Sequence, residues 1–123
     1  MQGLHLTADL HQCSTLNAAF HAPDALRSLC VQTVLACGLQ PVGELFHRFD
    51  EGGGVTGVVL LAESHLALHT WPELAAVTLD VYVCNLHADN SARAAALLAD
   101  LEAGFAPQQR EHGRVQRGSL TPV

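Results

Sequence analysis

The fold is decided by residues 55–72, which read VTGVVLLAESHLALHTWP. The apolar run from Val55 to Ala62 predicts one strand, and residues 65–71 predict a second strand directly after it. Pro72 ends the second strand, because proline has no N–H group to donate to a neighbouring strand. We therefore expect a hairpin-like pair of strands in the middle of the chain.

Further strands are predicted on both sides of this pair. Apolar and polar residues alternate from Leu4 to Leu10 and again over residues 77–84, as in strands with one buried face. Another strand is predicted over residues 42–49, and the glycines at 52–54 break it with a turn. The polar tail contains a short predicted strand around residues 112–116.

Two helices are predicted from apolar residues at helical spacing. The first covers residues 24–37 and the second residues 91–103. Gly38 and Gly104 are the expected stops of these helices. The expected cap of the second helix is Asp89 or Asn90.

The resulting order of elements, β-α-β-β-β-β-α-β, is typical of an α+β fold. We expect a single domain, residues 1–123, built as a two-layer sandwich with an antiparallel sheet and its helices on one face. The other face of the sheet carries histidines and threonines, which suits a functional site or a dimer contact.

Composition excludes several classes of protein. Only six Lys and Arg stand against twelve Asp and Glu, and the net charge of −6 argues against general nucleic-acid binding. No apolar run reaches the roughly 18 residues of a membrane span, and the N-terminus lacks signal-peptide features. The four cysteines are scattered without CxxC spacing, so we expect reduced thiols, a cytoplasmic protein and no metal site.

The densest chemistry lies in residues 63–73, ESHLALHTWPE. His65, His69 and Trp71 should share one face of a strand. A metal site of both histidines with Glu63 or Cys84 is one interpretation, but four strand residues span roughly 13 Å, too far for two imidazoles to converge on one ion. A thiol hydrolase that uses Cys84 with His69 as its base is another.

A longer pattern points elsewhere. Residues 54–73, preceded by His47-Arg48-Phe49 and followed by Asp80-Val81-Tyr82-Val83-Cys84, closely resemble the prokaryotic S-adenosylmethionine decarboxylase family. The resemblance runs from about residue 3 to 118. It depends mainly on ESHL, then HTWPE, then a cysteine downstream.

The resemblance implies a self-processing enzyme with a pyruvoyl cofactor. The chain would cut itself between Glu63 and Ser64 into residues 1–63 (the beta chain) and 64–123 (the alpha chain). Ser64 would become the pyruvoyl group, which forms a Schiff base with the substrate amine and accepts electrons on decarboxylation.

The same resemblance assigns roles to three further residues. His69 would be the acid/base of processing, and Thr56 stands where the family often has a serine. Cys84 would be the proton donor of decarboxylation, although Asn85 follows it where glycine is common. Members of the family assemble as homodimers of cleaved protomers.

The substrate stays open at this point. By resemblance Phe49 stacks on adenine and Glu73 accepts hydrogen bonds from the ribose, which favours S-adenosylmethionine and a place in spermidine synthesis. A plain basic amino acid, arginine or ornithine, is the alternative substrate. An unprocessed homologue that serves only as a binding partner is a second alternative.

The remaining candidates are histidines without an assigned role: a structural hydrogen bond is expected for His5, orientation of the cleaved end for His65, and surface positions for His11, His47, His87 and His112.

Overall fold

The computed structural model describes residues 2–49 and 52–118. Within them the strands are β1 (Gly3–His11), β2 (Pro41–Arg48), β3 (Val55–Leu61), β4 (Ser64–Trp71), β5 (Ala76–Cys84) and β6 (Gln109–Arg117). The helices are α1 (Pro23–Ala36) and α2 (Ser91–Phe105), and short 3₁₀ turns lie at Ala18–Phe20 and Pro72–Leu74. The predicted order of elements is confirmed.

The six strands form one sheet in the order β2-β3-β4-β5-β1-β6, and every neighbouring pair is antiparallel. Both helices pack against the same sheet face, α1 over β2 and β3 and α2 over β5 and β1. This confirms the predicted two-layer α+β sandwich. Among the described residues, neither helix has the combination of length and apolar character needed to cross a bilayer.

The core lies between the sheet and the helices, and the period-2 alternation of the strands builds it. On β4, Leu66 and Leu68 are fully buried, while the residues between them face away from the helices. The helices contribute the other large buried side chains, among them Leu26, Val34, Leu97, Leu101 and Phe105. Removal of these apolar surfaces from water is the main stabilising contribution.

A buried hydroxyl ties the central hairpin to the loop before α1. Thr70 Oγ1 accepts a hydrogen bond from the N–H of Val55 at 2.8 Å and donates one to the carbonyl oxygen of Phe20 at 2.9 Å. Gly54 packs so closely here that a Cβ atom would lie 1.9 Å from the carbonyl oxygen of Thr70. Any larger residue at position 54 would therefore push β3 away from β4.

The second helix does not stop where the sequence predicted. Gly38 follows α1 with φ of +80°, as expected of a glycine stop, but α2 continues through Gly104 to Phe105. A Cβ atom at Gly104 would lie 3.4 Å from Leu29 of α1, so this glycine lies at the contact between the two helices. Ala106 instead adopts the left-handed conformation that ends α2.

Of the two predicted caps of α2, Asn90 occupies the N-cap position, while the carboxylate of Asp89 accepts the N–H of Ser91 at 3.0 Å. Asn90, the other predicted cap, makes no such bond. Its side chain donates to the carbonyl oxygen of Cys84 at 3.0 Å, which joins the start of α2 to the end of β5.

The last strand is longer than predicted, and its exposed histidine contacts a buried carboxylate. β6 covers nine residues and pairs with β1 along its whole length. His112, predicted to be a plain surface residue, contacts the carboxylate of Glu102, which is buried on α2. Arg110 lies 4.0 Å from the same carboxylate. The buried charge is thereby paired by residues of β6.

Replacement of Thr70 by valine should destabilise the protein. The exchange keeps the shape of the side chain but leaves the buried N–H of Val55 and the carbonyl of Phe20 without their partner, at a cost of about 1–3 kcal/mol. Urea unfolding, with Thr78→Val on the more accessible sheet face as the control, measures the difference. Equal free energies of unfolding for the two variants would contradict this account of Thr70.

Candidate active site

The sheet face that the helices leave uncovered carries the chemistry. Register places His47, Thr56, His69, Thr78 and Asp9 side by side across five strands. We call this side of the sheet the open face. The prediction that His65, His69 and Trp71 share a face is confirmed, because the alternate residues Leu66, Leu68 and Thr70 are buried against the helices.

A two-residue turn, Ala62 and Glu63, joins β3 to β4, and Leu61 pairs with Ser64 across it. Glu63 has φ of +62°, in the left-handed region that glycine tolerates best. For a residue with a Cβ atom this conformation costs roughly 1–2 kcal/mol. The backbone just before Ser64 is therefore held in a strained conformation by the hairpin on either side of it.

The hydroxyl of Ser64 is held by the next strand. Its Oγ atom accepts a hydrogen bond from the backbone N–H of Cys84 at 3.1 Å. Pairing between β4 and β5 starts one residue later, at His65 and Tyr82. The Ser64 hydroxyl thus extends the ladder of hydrogen bonds by one step and is fixed beside the peptide bond that precedes it. Ser64 and Cys84 are neighbours, and we call this pair with Glu63 the turn cluster.

A second group of predicted residues lines a cavity of about 460 Å³ at the other end of β4. Thr56 Oγ1 and His69 Nδ1 lie 2.9 Å apart, and the two residues are direct cross-strand partners. Phe49 and Glu73, the predicted substrate contacts, line the same cavity. The structure therefore brings all four of these residues together.

Two features of this cavity prepare it for a flat ligand. Phe49 is half exposed, and the ring of His47 meets it edge-on with centroids 4.9 Å apart. Trp71 lies across the cavity beside His69, with ring centroids 6.2 Å apart. The sequence placed Trp71 on this face but gave it no role; its aromatic ring and its position two residues after His69 were the available signal.

The two groups lie far apart within one protomer. Ser64 and His69 are five residues apart on β4, which is roughly 17 Å at about 3.3 Å a residue. His69 pairs with Thr78, and Cys84 lies six residues farther along β5. The hypothesis of a thiol hydrolase with Cys84 activated by His69 is therefore wrong for a single protomer.

The remaining thiols differ from Cys84 in their surroundings. All four cysteines are unpaired. Burial, together with the nearby carboxylate of Glu44, raises the pKa of the Cys30 thiol to about 12, so this side chain stays protonated. Burial also raises the pKa of Cys13. Burial, together with the nearby carboxylate of Asp100, also raises the pKa of Cys37. None of these three thiols is suited to chemistry, which leaves Cys84 beside the turn as the reactive candidate.

Close to the turn cluster, three side chains from different strands meet on the open face. His5 Nε2 lies 2.8 Å from Asp80 Oδ2, which confirms the structural hydrogen bond expected for His5. His65 Nε2 lies 3.7 Å from the same oxygen. Alternation had placed Asp80 on the face of Cys84, but only the strand register shows that it meets two histidines.

These features define a class: a small α+β sandwich in which a strained peptide bond precedes a serine held beside a cysteine. The sequence profile of the S-adenosylmethionine decarboxylase family matches residues 4–118. The S-adenosylmethionine decarboxylase proenzyme of Archaeoglobus fulgidus is 34% identical over 116 residues, 94% of this chain and 97% of its own. That of Methanococcus maripaludis is 31% identical over 118 residues, 96% of this chain and 91% of its own.

A solved structure agrees with these sequence matches. The crystal structure of the adenosylmethionine decarboxylase from Aquifex aeolicus matches with a TM-score of 0.86 and 28% identity, over 98% of this chain and 94% of that one. The chain belongs to the S-adenosylmethionine decarboxylase family.

Glycine at position 63 should relieve the strain in the turn. In the Ser64→Ala background, where the chain cannot use its serine, Glu63→Gly should raise the free energy of unfolding by about 1 kcal/mol, since glycine adopts positive φ without a Cβ clash. Glu63→Ala in the same background keeps the clash and serves as the control. If denaturant unfolding gave the glycine variant no advantage over the alanine variant, the turn would not be strained.

Proposed function

We propose that this chain is the precursor of a pyruvoyl-dependent S-adenosylmethionine decarboxylase, processed at the Glu63–Ser64 bond. The observation that carries the proposal is the turn itself: a left-handed Glu63 next to a serine whose Oγ is fixed by the N–H of Cys84. Family membership supports the decarboxylase activity, and the relatives named above are proenzymes.

Processing uses the serine as an internal nucleophile. Ser64 Oγ attacks the carbonyl carbon of Glu63, the peptide C–N bond breaks, and an ester joins Glu63 to the serine side chain. Removal of the Cα proton of residue 64 then expels the Glu63 carboxylate. Water replaces the nitrogen on this Cα atom, and the nitrogen leaves as ammonia. The strain at Glu63 favours the attack by Ser64 Oγ, because the planar peptide group is lost in that step.

The resulting pyruvoyl group supplies the chemistry of decarboxylation, because its conjugated carbonyl accepts the electron pair that the departing carbon dioxide leaves behind. The surrounding residues fit a pyruvoyl group at position 64. Cys84 lies on the next strand, and its backbone N–H is hydrogen-bonded to the Ser64 side chain. We assign to Cys84 the return of a proton to the substrate carbon. The unpaired cysteines also suit a cytoplasmic location.

We assign the acid/base role in processing to His69, with Thr56 as the residue that orients it. Thr56 Oγ1 lies 2.9 Å from His69 Nδ1, which leaves Nε2 free to exchange protons. Within one protomer, however, His69 lies roughly 17 Å from Ser64. An imidazole at that distance reaches no atom of the scissile bond. The acid/base for Ser64 must therefore be a histidine of another protomer.

A homodimer built face to face supplies it. Consider a two-fold axis that lies in the interface and crosses β4 near Ala67, midway between Ser64 and His69. This axis reverses the partner's β4 and places its His69 opposite Ser64, across the roughly 10 Å between packed sheets. Each dimer would then hold two sites, each made of the turn cluster of one protomer and the cavity of the other.

The open face has the apolar surface that such a dimer needs. It exposes large apolar side chains along its length: Leu45 is 70% exposed, Val115 52%, Leu60 49% and Trp71 41%. An exposed face of this kind on a small domain is typical of an interaction surface. Packing of two open faces would bury these side chains and exclude water from both sites.

The same arrangement accounts for a nucleoside substrate. The adenine would stack on Phe49 near Trp71, with the ribose hydroxyls donating to Glu73, all in the cavity of one protomer. The amino acid end would then reach the partner's residue 64. A plain basic amino acid would leave this aromatic cavity empty, and this favours S-adenosylmethionine over arginine and ornithine.

Coexpression of two inactive variants should restore cleavage. Ser64→Ala and His69→Ala each lack one part of the site, but a mixed dimer contains one complete site, so about half of the His69→Ala chains should be cut. Coexpression of His69→Ala with the double variant Ser64→Ala/His69→Ala is the control and should give no cleavage. Intact chains in both mixtures by mass spectrometry would show that the site is not shared.

Release of labelled carbon dioxide from S-adenosylmethionine, arginine and ornithine tests the substrate. Activity is expected with S-adenosylmethionine, and Phe49→Ala should lower its kcat/KM roughly five- to hundredfold, as expected for loss of a base-stacking contact. Leu74→Ala, an exposed residue beside Glu73, is the control. Release from an amino acid alone would overturn the substrate assignment, and no release from any of the three would overturn the proposed activity.

A further inference from the structure

The side chains around Asp80 form a connected group that the processing steps do not use. His5 on β1 and His65 on β4 flank Asp80 on β5, and their nearest ligand atoms all lie within 4.8 Å of one another. We call these three residues the Asp80 cluster. It lies on the open face, and His65 is the residue that follows Ser64 in the chain.

The direction of the hydrogen bonds around His5 follows from Arg117. An Nη1 atom of Arg117 lies 3.3 Å from His5 Nδ1, and a guanidinium group can only donate. His5 Nδ1 is therefore the acceptor, and His5 Nε2 carries the proton that it donates to Asp80 Oδ2 at 2.8 Å. Arg117 itself lies over the ring of Tyr82, 5.0 Å from its centroid. The ring of His5 is thus held between Asp80 and Arg117.

This arrangement disfavours a metal ion in the cluster. A metal bound to His5 Nε2 would require the proton to move to Nδ1. That N–H would then point at the guanidinium of Arg117, donor against donor, whereas a metal-bound histidine normally donates its other N–H to an acceptor. The geometry instead fits an aspartate that is held in place by a hydrogen bond from His5.

His65 is the part of the cluster that stays available. Its ring stacks on Tyr82 with centroids 5.7 Å apart, and the edge of His5 meets it at 6.1 Å. Across the other neighbouring strand its partner is Leu60, which is apolar. The acidic group that faces its Nε2 is Asp80, at 3.7 Å, so this carboxylate orients the ring and pairs with its protonated form.

We propose that Asp80 is a positioning residue for decarboxylation, which holds His65 as the proton-transfer group beside residue 64. The inference rests on the proposed function. Joining the substrate's amino nitrogen to the ketone at residue 64 moves two protons from nitrogen to the oxygen that leaves as water. His65 is the next residue in the chain and exchanges these protons, whereas both ring nitrogens of His5 are engaged, one by Asp80 and the other by Arg117.

The variant Asp80→Asn tests this assignment. It should be cleaved as completely as the unaltered chain, while kcat with S-adenosylmethionine falls roughly ten- to hundredfold and KM stays within about twofold. Asp24→Asn, an exposed aspartate in the first turn of α1 and away from the open face, is the control and should keep full activity. Asp80→Glu should recover part of the lost kcat. His65→Gln should lower kcat by as much as Asp80→Asn does. If Asp80→Asn does not fold, the kcat of His65→Gln tests the assignment instead.

A second readout needs no pyruvoyl group. In the Ser64→Ala precursor, the ring ¹⁵N signals of His65 should move when Asp80 is replaced by asparagine and stay fixed when Asp24 is replaced by asparagine. Full activity of Asp80→Asn or of His65→Gln, or an unmoved His65 signal, would overturn the inference. Zinc added to this precursor should not shift the signals of His5 and His65; saturable zinc binding that His65→Gln abolishes would make the cluster a metal site instead.

The outcomes separate this inference from the proposed function. An unaltered chain that neither cleaves nor releases carbon dioxide would overturn the decarboxylase itself. An active unaltered chain with an equally active Asp80→Asn variant would overturn only the role given to the cluster.

Discussion

The central constraint in this protein is the left-handed backbone of Glu63, enforced by the two strands that it joins. A buried, continuous β3–β4 ladder leaves only two residues for the turn, and neither of them is glycine. Strain is therefore placed at one peptide bond, and the N–H of Cys84 fixes the neighbouring hydroxyl of Ser64 at 3.1 Å. The rest of the fold keeps this hairpin rigid: the helices pack on its far side, and Thr70 links it to the loop before α1.

The rigidity of β4 is also the reason for proposing a dimer. One strand carries both the serine and the histidine, and an extended strand cannot fold back to bring its own ends together. A single protomer therefore holds the serine and the histidine at opposite ends of β4. In the proposed dimer, the exposed apolar side chains of the open face would pack against the same face of the second protomer.

Much of this could be predicted from the sequence, because the strands are strongly periodic. Alternation on β4 and β5 correctly placed His65, His69 and Trp71 together on one face, and Cys84 with Asp80. The relative register of the strands could not be read from the sequence, so His69 was considered as a partner for Cys84 and the contact between Asp80 and two histidines was missed. The end of α2 was also misplaced, since Gly104 serves the packing of the helices rather than a stop.

The mass and amino terminus of the purified chain provide the most direct test. The account predicts two polypeptides, residues 1–63 and 64–123, with the second beginning in a ketone that blocks stepwise sequencing from its amino end. Ser64→Ala should give one uncut species. A single intact polypeptide from the unaltered sequence, with a free amino group at its start, would contradict the account.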